Sequence, residues 1–255
     1  MTEPLEAPPH LSPSSMATYN QCPMKFRFSK IDKLPDKPSE ATLLGNFVHD
    51  VCEQFYMYEP EERVPSLLRP LMAEVWNGGK WDERVEVYVP EGERLRNFKW
   101  RAFWCLENLW KVEVPEEIKP EGIEFELNGE LEGVTLKGFI DRYSTDDGDV
   151  TISDYKTGKT PQAHWGGDKF LQLKIYGALI NRLEIGETRL LELLYLKDGQ
   201  KFEHPFTRDD FQETVDYVVA TKRAVDADCK SHEFETRKTF LCNWCAYKPQ
   251  CPAWR

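Results

Sequence analysis

The four residues Asp146-Asp147-Gly148-Asp149 separate two strand-like runs, VTLKGFIDRYS before them and DVTISDYKT after. Asp-Gly in that setting is the strongest short-range signal for a two-residue type I′ hairpin. With Asp147 and Gly148 as the turn, Asp146 faces Asp149, and counting in step along both strands brings Asp141 opposite Asp154. Directly opposed residues hold their Cβ atoms about 4.5–5.5 Å apart, and like charges there weaken a sheet unless something neutralises them. Lys156 lies two residues beyond Asp154 and so shares its face of the strand. Two carboxylates and an ammonium then converge, an oxygen-donor set that suits Mg²⁺ or Mn²⁺ and the hydrolysis of phosphodiesters. The plainer alternative is that both aspartates only border strands and Lys156 pairs with one of them.

The organisation around the hairpin is helices, three strands, a helix, two strands and a helix. Residues 1–10 carry several prolines and few apolar anchors and read as a flexible arm, ending where Ser12-Pro13 offers a helix start. Residues 11–255 read as one domain. Helices are predicted over 14–22 and 42–58, with a basic, proline-punctuated connector between them. The stretch 60–120 reads as a helical insert, with helices over 66–77 and 92–111 and a short β-like VEVYV between. Alternation sets in at IEFELN and runs through the hairpin. A helix over 168–183, the strand pair LLELLYLK and QKFEHPF, and a helix over 209–225 complete the chain.

A formal net charge of −11 disfavours a broad polyanion-binding surface, so any nucleic-acid contact is local. Two basic stretches offer themselves, Lys25, Arg27, Lys30 and Lys33 near the start and Lys222, Arg223, Lys230, Arg237 and Lys238 near the end; both also fit a solvated face. No run of apolar residues is long enough for a membrane span, and the N-terminus lacks a basic start before an apolar stretch. A cytoplasmic protein with no membrane partner is expected. Gly158-Lys159-Thr160 matches the end of a Walker A loop, but Ser153 stands where its first glycine belongs.

The tracts Gly138-Phe-Ile-Asp141 and Asp154-Tyr-Lys156-Thr-Gly158 resemble the core of the PD-(D/E)xK nucleases, in particular the RecB-family and Cas4-like branch. Upstream, Gly45-Asn-Phe-Val-His49 resembles that family's G-x-x-x-H motif; downstream, Gln172-Leu-Lys-Ile-Tyr176 resembles its Q-x-x-x-Y motif. The resemblance implies an α/β restriction-endonuclease-like core, a mixed β-sheet flanked by helices. It also implies a metal bound by His49, Asp141, Asp154 and the backbone carbonyl of Tyr155, with Lys156 orienting or activating water. Gln172 and Tyr176, one helical turn apart on one face, would brace the site or touch DNA. An acidic residue on the first strand belongs to the pattern. Glu124 and Glu126, two apart, are both available and expected on the same side, with Glu124 favoured.

Of the seven cysteines, Cys242-Asn-Trp-Cys245 followed by Cys251 puts three thiols in one short segment, which points to a metal centre. The donor set alone accepts zinc or iron–sulfur, and plain thiols without a metal are the third alternative. The Cas4-like and AddB-like nucleases pair three such cysteines with an N-terminal one, here Cys22, around a [4Fe–4S] cluster. That resemblance favours a cluster stapling residues 239–255 to the N-terminal segment. Cys52, one turn after His49, reads as a buried small apolar residue. The expected activity is a Mg²⁺- or Mn²⁺-dependent exonuclease on DNA ends or single strands, in recombination, repair or phage DNA processing. A Cas4-like CRISPR-adaptation nuclease with integration partners, a homo-oligomer, and a noncatalytic iron–sulfur DNA-binding module are the competing expectations.

Overall fold

A computed structural model describes residues 5–36, 38–89, 91–161 and 168–254. Five strands form one mixed sheet in the order β1-β2-β3-β4-β5: β1 Pro120–Leu131, β2 Val134–Asp146, β3 Asp149–Lys156, β4 Glu187–Tyr195 and β5 Gln200–Pro205. The hairpin joining β2 and β3 has the expected register, from Asp146↔Asp149 to Arg142↔Ser153. Asp147 and Gly148 both have positive φ, 48° and 88°, the backbone a type I′ turn requires. β3 and β4 are parallel, joined by a crossover through α8 Leu171–Arg182, whereas the other neighbouring pairs are antiparallel.

Helices cover both faces. On one side α1 Pro13–Gln21, α8 and α9 Arg208–Ser231 pack on Leu136, Ile140, Ile152, Leu191 and Leu193. Ser12 caps α1, its hydroxyl accepting the Ser15 amide at 3.1 Å. The connector expected after α1 is helical instead: α2 Pro23–Phe26 runs into a wide π turn over Arg27–Ile31. Of the N-terminal arm, residues 1–4 lie outside the described residues; the Leu5 amide donates to the Cys229 carbonyl at 3.1 Å.

The other face is covered by α3 Glu40–Tyr56 and the helices that follow: α4 Leu68–Gly78, α5 Trp81–Val85, α6 Glu93–Glu107 and α7 Leu109–Val112. Their apolar stripes meet Tyr155, Leu194 and Leu196 of the sheet and the segment after it. VEVYV is not a strand. Val85 and Val89 are both buried, Val87 is 80% exposed, and the Val89 amide donates to the Val85 carbonyl at 2.7 Å. The burial period is four, not two, so the run closes a helical turn. The helix expected over 92–111 breaks at Asn108, whose side-chain amide donates to the Leu196 carbonyl at 2.7 Å and ties the helical layer to the end of β4. No helix among the described residues is long and apolar enough to cross a membrane.

Candidate active site

The sheet changes its facing pattern at one point, and the acidic residues gather there. Ile123 pairs with Arg142 and Phe125 with Ile140, so regular pleating would send both pairs to the same face. Instead Phe125 and Ile140 join the core under α8, while Ile123 packs into the core under α3. The residue between them, Glu124, has φ 44°, a left-handed conformation that costs a non-glycine residue about 1–2 kcal/mol. That local reversal separates the two glutamates expected on one side. Glu126 is exposed and ion-paired to Lys137 at 2.5 Å, whereas Glu124 turns toward His49.

On β2, Asp141 stands one step beyond the last β2–β3 pair, and its carboxylate replaces the ladder by accepting the Tyr155 amide at 2.8 Å. From α3, His49 donates through Nε2 to the Tyr155 carbonyl at 2.8 Å, and its Nδ1 lies 3.4 Å from Asp141 Oδ2 and 4.0 Å from Glu124 Oε1. Gly45, one turn earlier on α3, lets the helix approach β3: a Cβ there would meet Thr157 Oγ1 at 3.3 Å. Ligand atoms of His49, Glu124 and Asp141 all lie within 4.8 Å of one another. Asp154 adjoins this trio but turns toward Lys156, whose Nζ is 2.6 Å from Asp154 Oδ2. That oxygen is buried, and the Lys156 ammonium is the cation that faces it.

Charge crowding sets the proton affinities. Burial and then the neighbouring Asp141 carboxylate push Asp154 up to about 6, against the pull of Lys156. Burial and Asp141 likewise raise Glu124 to about 7. For His49, burial works to lower the value, but Asp141 and Asp154 outweigh it and hold the imidazole at about 9. Lys156 is also penalised by burial and raised above its ordinary value by Asp154, so it stays an ammonium. An imidazole, carboxylates and a backbone carbonyl around one opening form a donor set that fits a hard divalent cation.

These residues line an open cavity of about 560 Å³, with Lys156 Nζ 3.4 Å from Gln172 Oε1. Tyr176, one turn beyond Gln172, lies beneath the cavity and not in its lining. Its ring packs so tightly on β2 that a Cβ on Gly138 would stand 2.5 Å from Tyr176 Cε1. Burial pushes the Tyr176 hydroxyl up to about 12, with Gln172 and the Phe139 amide opposing.

Two residues that the sequence reading did not single out support this arrangement from behind. Arg142 and Glu113 are 2% and 3% exposed in their side chains and form a two-pronged ion pair, with Nη2–Oε2 at 2.6 Å. Arg142 also donates to the Tyr155 hydroxyl at 3.0 Å and to Ser153 Oγ at 3.1 Å, fixing the strand that carries Asp154. The available signal was a second charge directly beside Asp141, on the part of β2 that precedes the hairpin.

The four cysteines Cys22, Cys242, Cys245 and Cys251 line a second, small pocket together with Tyr247 and Trp254. The chain ends are held there by Arg237 donating to the Asn20 carbonyl at 2.5 Å and Tyr247 donating to the Leu34 carbonyl at 3.2 Å. A hydrogen bond from the Thr239 amide holds the Cys242 thiol below its ordinary value. No three of the sulfurs lie within 4.8 Å of one another. The two basic stretches are partly neutralised: Arg27 pairs with Asp32, Lys222 with Asp226 and Arg237 with Glu235.

The model of the PD-(D/E)XK nuclease superfamily matches residues 10–252. The chain belongs to that superfamily. Among individual proteins, it is similar to the Gene 69 protein of Mycobacterium phage L5, at 24% identity over the full length of both chains. The Gene 69 protein of Mycobacterium phage D29 is 28% identical over 68% of this chain and 69% of its own. The fold resembles that of a solved structure described as a "Putative exonuclease" from Eubacterium rectale, with a TM-score of 0.58 and 17% identity over 93% of this chain and 87% of that one.

Proposed function

We propose that this superfamily member is a Mg²⁺- or Mn²⁺-dependent deoxyribonuclease acting from DNA ends or on single strands, in recombination, repair or phage DNA processing. The observation that carries the reading is the convergence of His49, Glu124, Asp141, Asp154 and Lys156 on one cavity, with the Asp154 carboxylate buried against the Lys156 ammonium. Kinship with two mycobacteriophage proteins supports the phage setting.

His49, Asp141, Asp154 and the Tyr155 carbonyl would hold the metal, with Glu124 as a further ligand. The cation supplies charge neutralisation at the scissile phosphate and lowers the pKa of the attacking water. The residues do the rest. Lys156, kept protonated by Asp154, donates hydrogen bonds to a phosphate oxygen or the attacking water and offsets the charge that builds as the new P–O bond forms. It has no lone pair to accept a proton while it remains an ammonium. Gln172 accepts from Lys156 and sets the direction of its ammonium, and Tyr176 holds α8 against β2. The attacking water gives up its proton to solvent as its P–O bond forms, and the departing strand's oxygen leaves with the electrons of the broken P–O bond and takes up a proton from solvent.

End-labelled single- and double-stranded DNA with Mg²⁺ or Mn²⁺ tests this directly. Asp154→Asn and Lys156→Ala should each lower cleavage by roughly 10²–10³-fold, as loss of one preorganised electrostatic group does. Equal cleavage by wild type and both variants would overturn the assignment.

For the cysteine pocket, we infer a structural [4Fe–4S] cluster on Cys22, Cys242, Cys245 and Cys251, stapling the two ends of the chain. Four-coordinate zinc, with Zn–S near 2.3 Å, draws its sulfurs to about 3.8 Å from one another. The gathering of all four cysteines at one pocket, and their likeness in order and spacing to the iron–sulfur nucleases, support the cluster. A brown protein with iron and sulfide, losing its visible absorption in Cys245→Ala, is expected. A colourless protein with one zinc per chain would refute the cluster and leave the nuclease reading intact. A Cas4-like role in CRISPR adaptation uses the same residues and differs only in requiring integration partners.

A further inference from the structure

The helical layer carries a second cavity, about 390 Å³, between α4 and α6, and nothing in the site described above uses it. Two stripes at helical spacing build it: Arg69, Met72, Ala73 and Trp76 on α4 face Arg96, Lys99, Trp100 and Phe103 on α6. Its charge runs against that of the chain. In a protein of net charge −11, the residues lining the groove include three cations and no acid, and none of the three forms an ion pair with a described residue. The contrast on α6 is local, since Arg94 and Arg101 on the same helix are both held by Glu40.

Two of the three lie instead on aromatic rings. The Arg69 guanidinium is 4.3 Å from the Phe103 centroid and 5.3 Å from that of Trp100, and Lys99 Nζ is 3.9 Å from the Trp76 ring. Trp100 keeps 49% of its surface exposed. Unpaired cations interleaved with an exposed indole make the surface that single-stranded nucleic acid favours, phosphates on the charges and bases on the ring. An acidic protein would satisfy the cations but leave the indole without a stacking partner.

We propose that this groove is a binding subsite for single-stranded DNA, holding a few nucleotides outside the cleavage centre. The proposal rests on the nuclease reading for its substrate, though not for its geometry. Phe47 lines the groove and His49 the candidate active site, on opposite sides of α3. A helix is about 10 Å across. At roughly 3.4 Å per stacked nucleotide, some three nucleotides span that distance. The groove thus engages the strand next to the scissile bond and raises affinity for strands long enough to reach around α3.

The test measures binding of 5′-fluorescein-labelled (dT)₁₂ by anisotropy in EDTA, which removes catalysis from the readout. Trp100→Ala should weaken binding roughly 5–100-fold, the range for loss of one stacking platform. Arg69→Ala should flatten the dependence of log K on log salt by about 0.7, one phosphate contact on a single strand. Trp104→Ala, 57% exposed but outside the groove, should bind as wild type does. With Mn²⁺, hydrolysis of bis(p-nitrophenyl) phosphate, too small to reach the groove, should be unchanged in Trp100→Ala. Photocrosslinking of a bromodeoxyuridine oligonucleotide to the wild-type protein should map to residues 96–103, a readout that needs no variant. Wild-type affinity in both Trp100→Ala and Arg69→Ala, crosslinks confined to other segments, or equal displacement of (dT)₁₂ by polyaspartate would each overturn the subsite. Loss of cleavage readings with groove-dependent binding intact would instead sink the nuclease assignment alone.

Discussion

Replacing Arg142 by Met isolates the buried support behind the candidate site. The guanidinium makes two bonds to Glu113, at 3.0 and 2.6 Å, and two more to Tyr155 and Ser153, and its carbon lies 4.5 Å from the Tyr56 ring centroid. Methionine fills much of the volume but leaves the Glu113 carboxylate buried with only the Tyr56 hydroxyl as a donor. Breaking a buried pair from one side costs about 3–5 kcal/mol. For a chain this size each kcal/mol moves Tm by roughly 2–4 °C, so Arg142→Met should melt about 6–20 °C below wild type. The double variant Arg142→Met/Glu113→Leu removes the stranded charge and should recover most of that loss. It should not recover cleavage, because the Tyr155 hydroxyl and Ser153 still lack the group that fixed β3. Thermal melts and denaturant titrations of wild type, both singles and the double close the cycle. A single variant within 2 °C or so of wild type, or a double no more stable than Arg142→Met, would refute the reasoning.

Mn²⁺ affinity should climb as pH rises from about 6 to 9, because His49, held at about 9 by Asp141 and Asp154, must shed its proton to become a ligand. Calorimetry in buffers of different ionisation enthalpy should show between about one and two protons released per metal near neutral pH, one from His49 and a fraction from Glu124, and pH-independent affinity would contradict it. Glu124→Asn removes a crowded carboxylate and puts a residue that tolerates left-handed backbone at φ 44°. Metal-free Glu124→Asn should melt higher than wild type, more so at pH 8 than at pH 5, since a carboxyl raised from 4.5 to about 7 costs stability progressively as pH climbs through that window and in full above it; its cleavage should fall. Gly138→Ala forces the Tyr176 ring to move and should cost about 1–3 kcal/mol with reduced cleavage, visible as paired losses in melting temperature and rate. Asp210, buried at the α9 cap, is held well below the carboxylate range by Lys174, Thr207 and His204 despite its desolvation. The stability it contributes is present above the unfolded value near 4 and lost as pH falls below it, so Asp210→Asn should flatten the acid limb of the melting profile.

The parts legible in the sequence were those specified by neighbours along the chain. The Asp-Gly turn set the register of β2 against β3, alternation located the first three strands, and two short strand-like runs located β4 and β5, all to within a few residues. The misreadings arise where a partner distant in sequence decides. VEVYV has strand composition, but Val85 and Val89 are both drawn into the core beneath α3 and the segment coils. Arg142 and Glu113 are 29 residues apart, and each alone reads as a solvated charge. Two-residue alternation put Glu124 beside Glu126, since a single left-handed residue leaves no compositional mark when it is not glycine.

That one residue matters beyond its own side chain. The reversal at Glu124 and Asp141 turns the edge of the sheet from the α8 core toward α3, and this brings a first-strand carboxylate to an aspartate from β2 and a histidine from a helix. Such crowding would be costly in a chain without metal were there no counter-charge. His49, protonated at neutral pH, lies 3.4 Å from Asp141, and the Lys156 ammonium lies 2.6 Å from Asp154, so two cations already neutralise part of the cluster. Lys156 can keep its proton when a divalent ion enters, but His49 cannot coordinate and stay charged. On the proposed metal-dependent reading, exchange of the His49 proton for the metal would be the step that couples folding stability to metal binding.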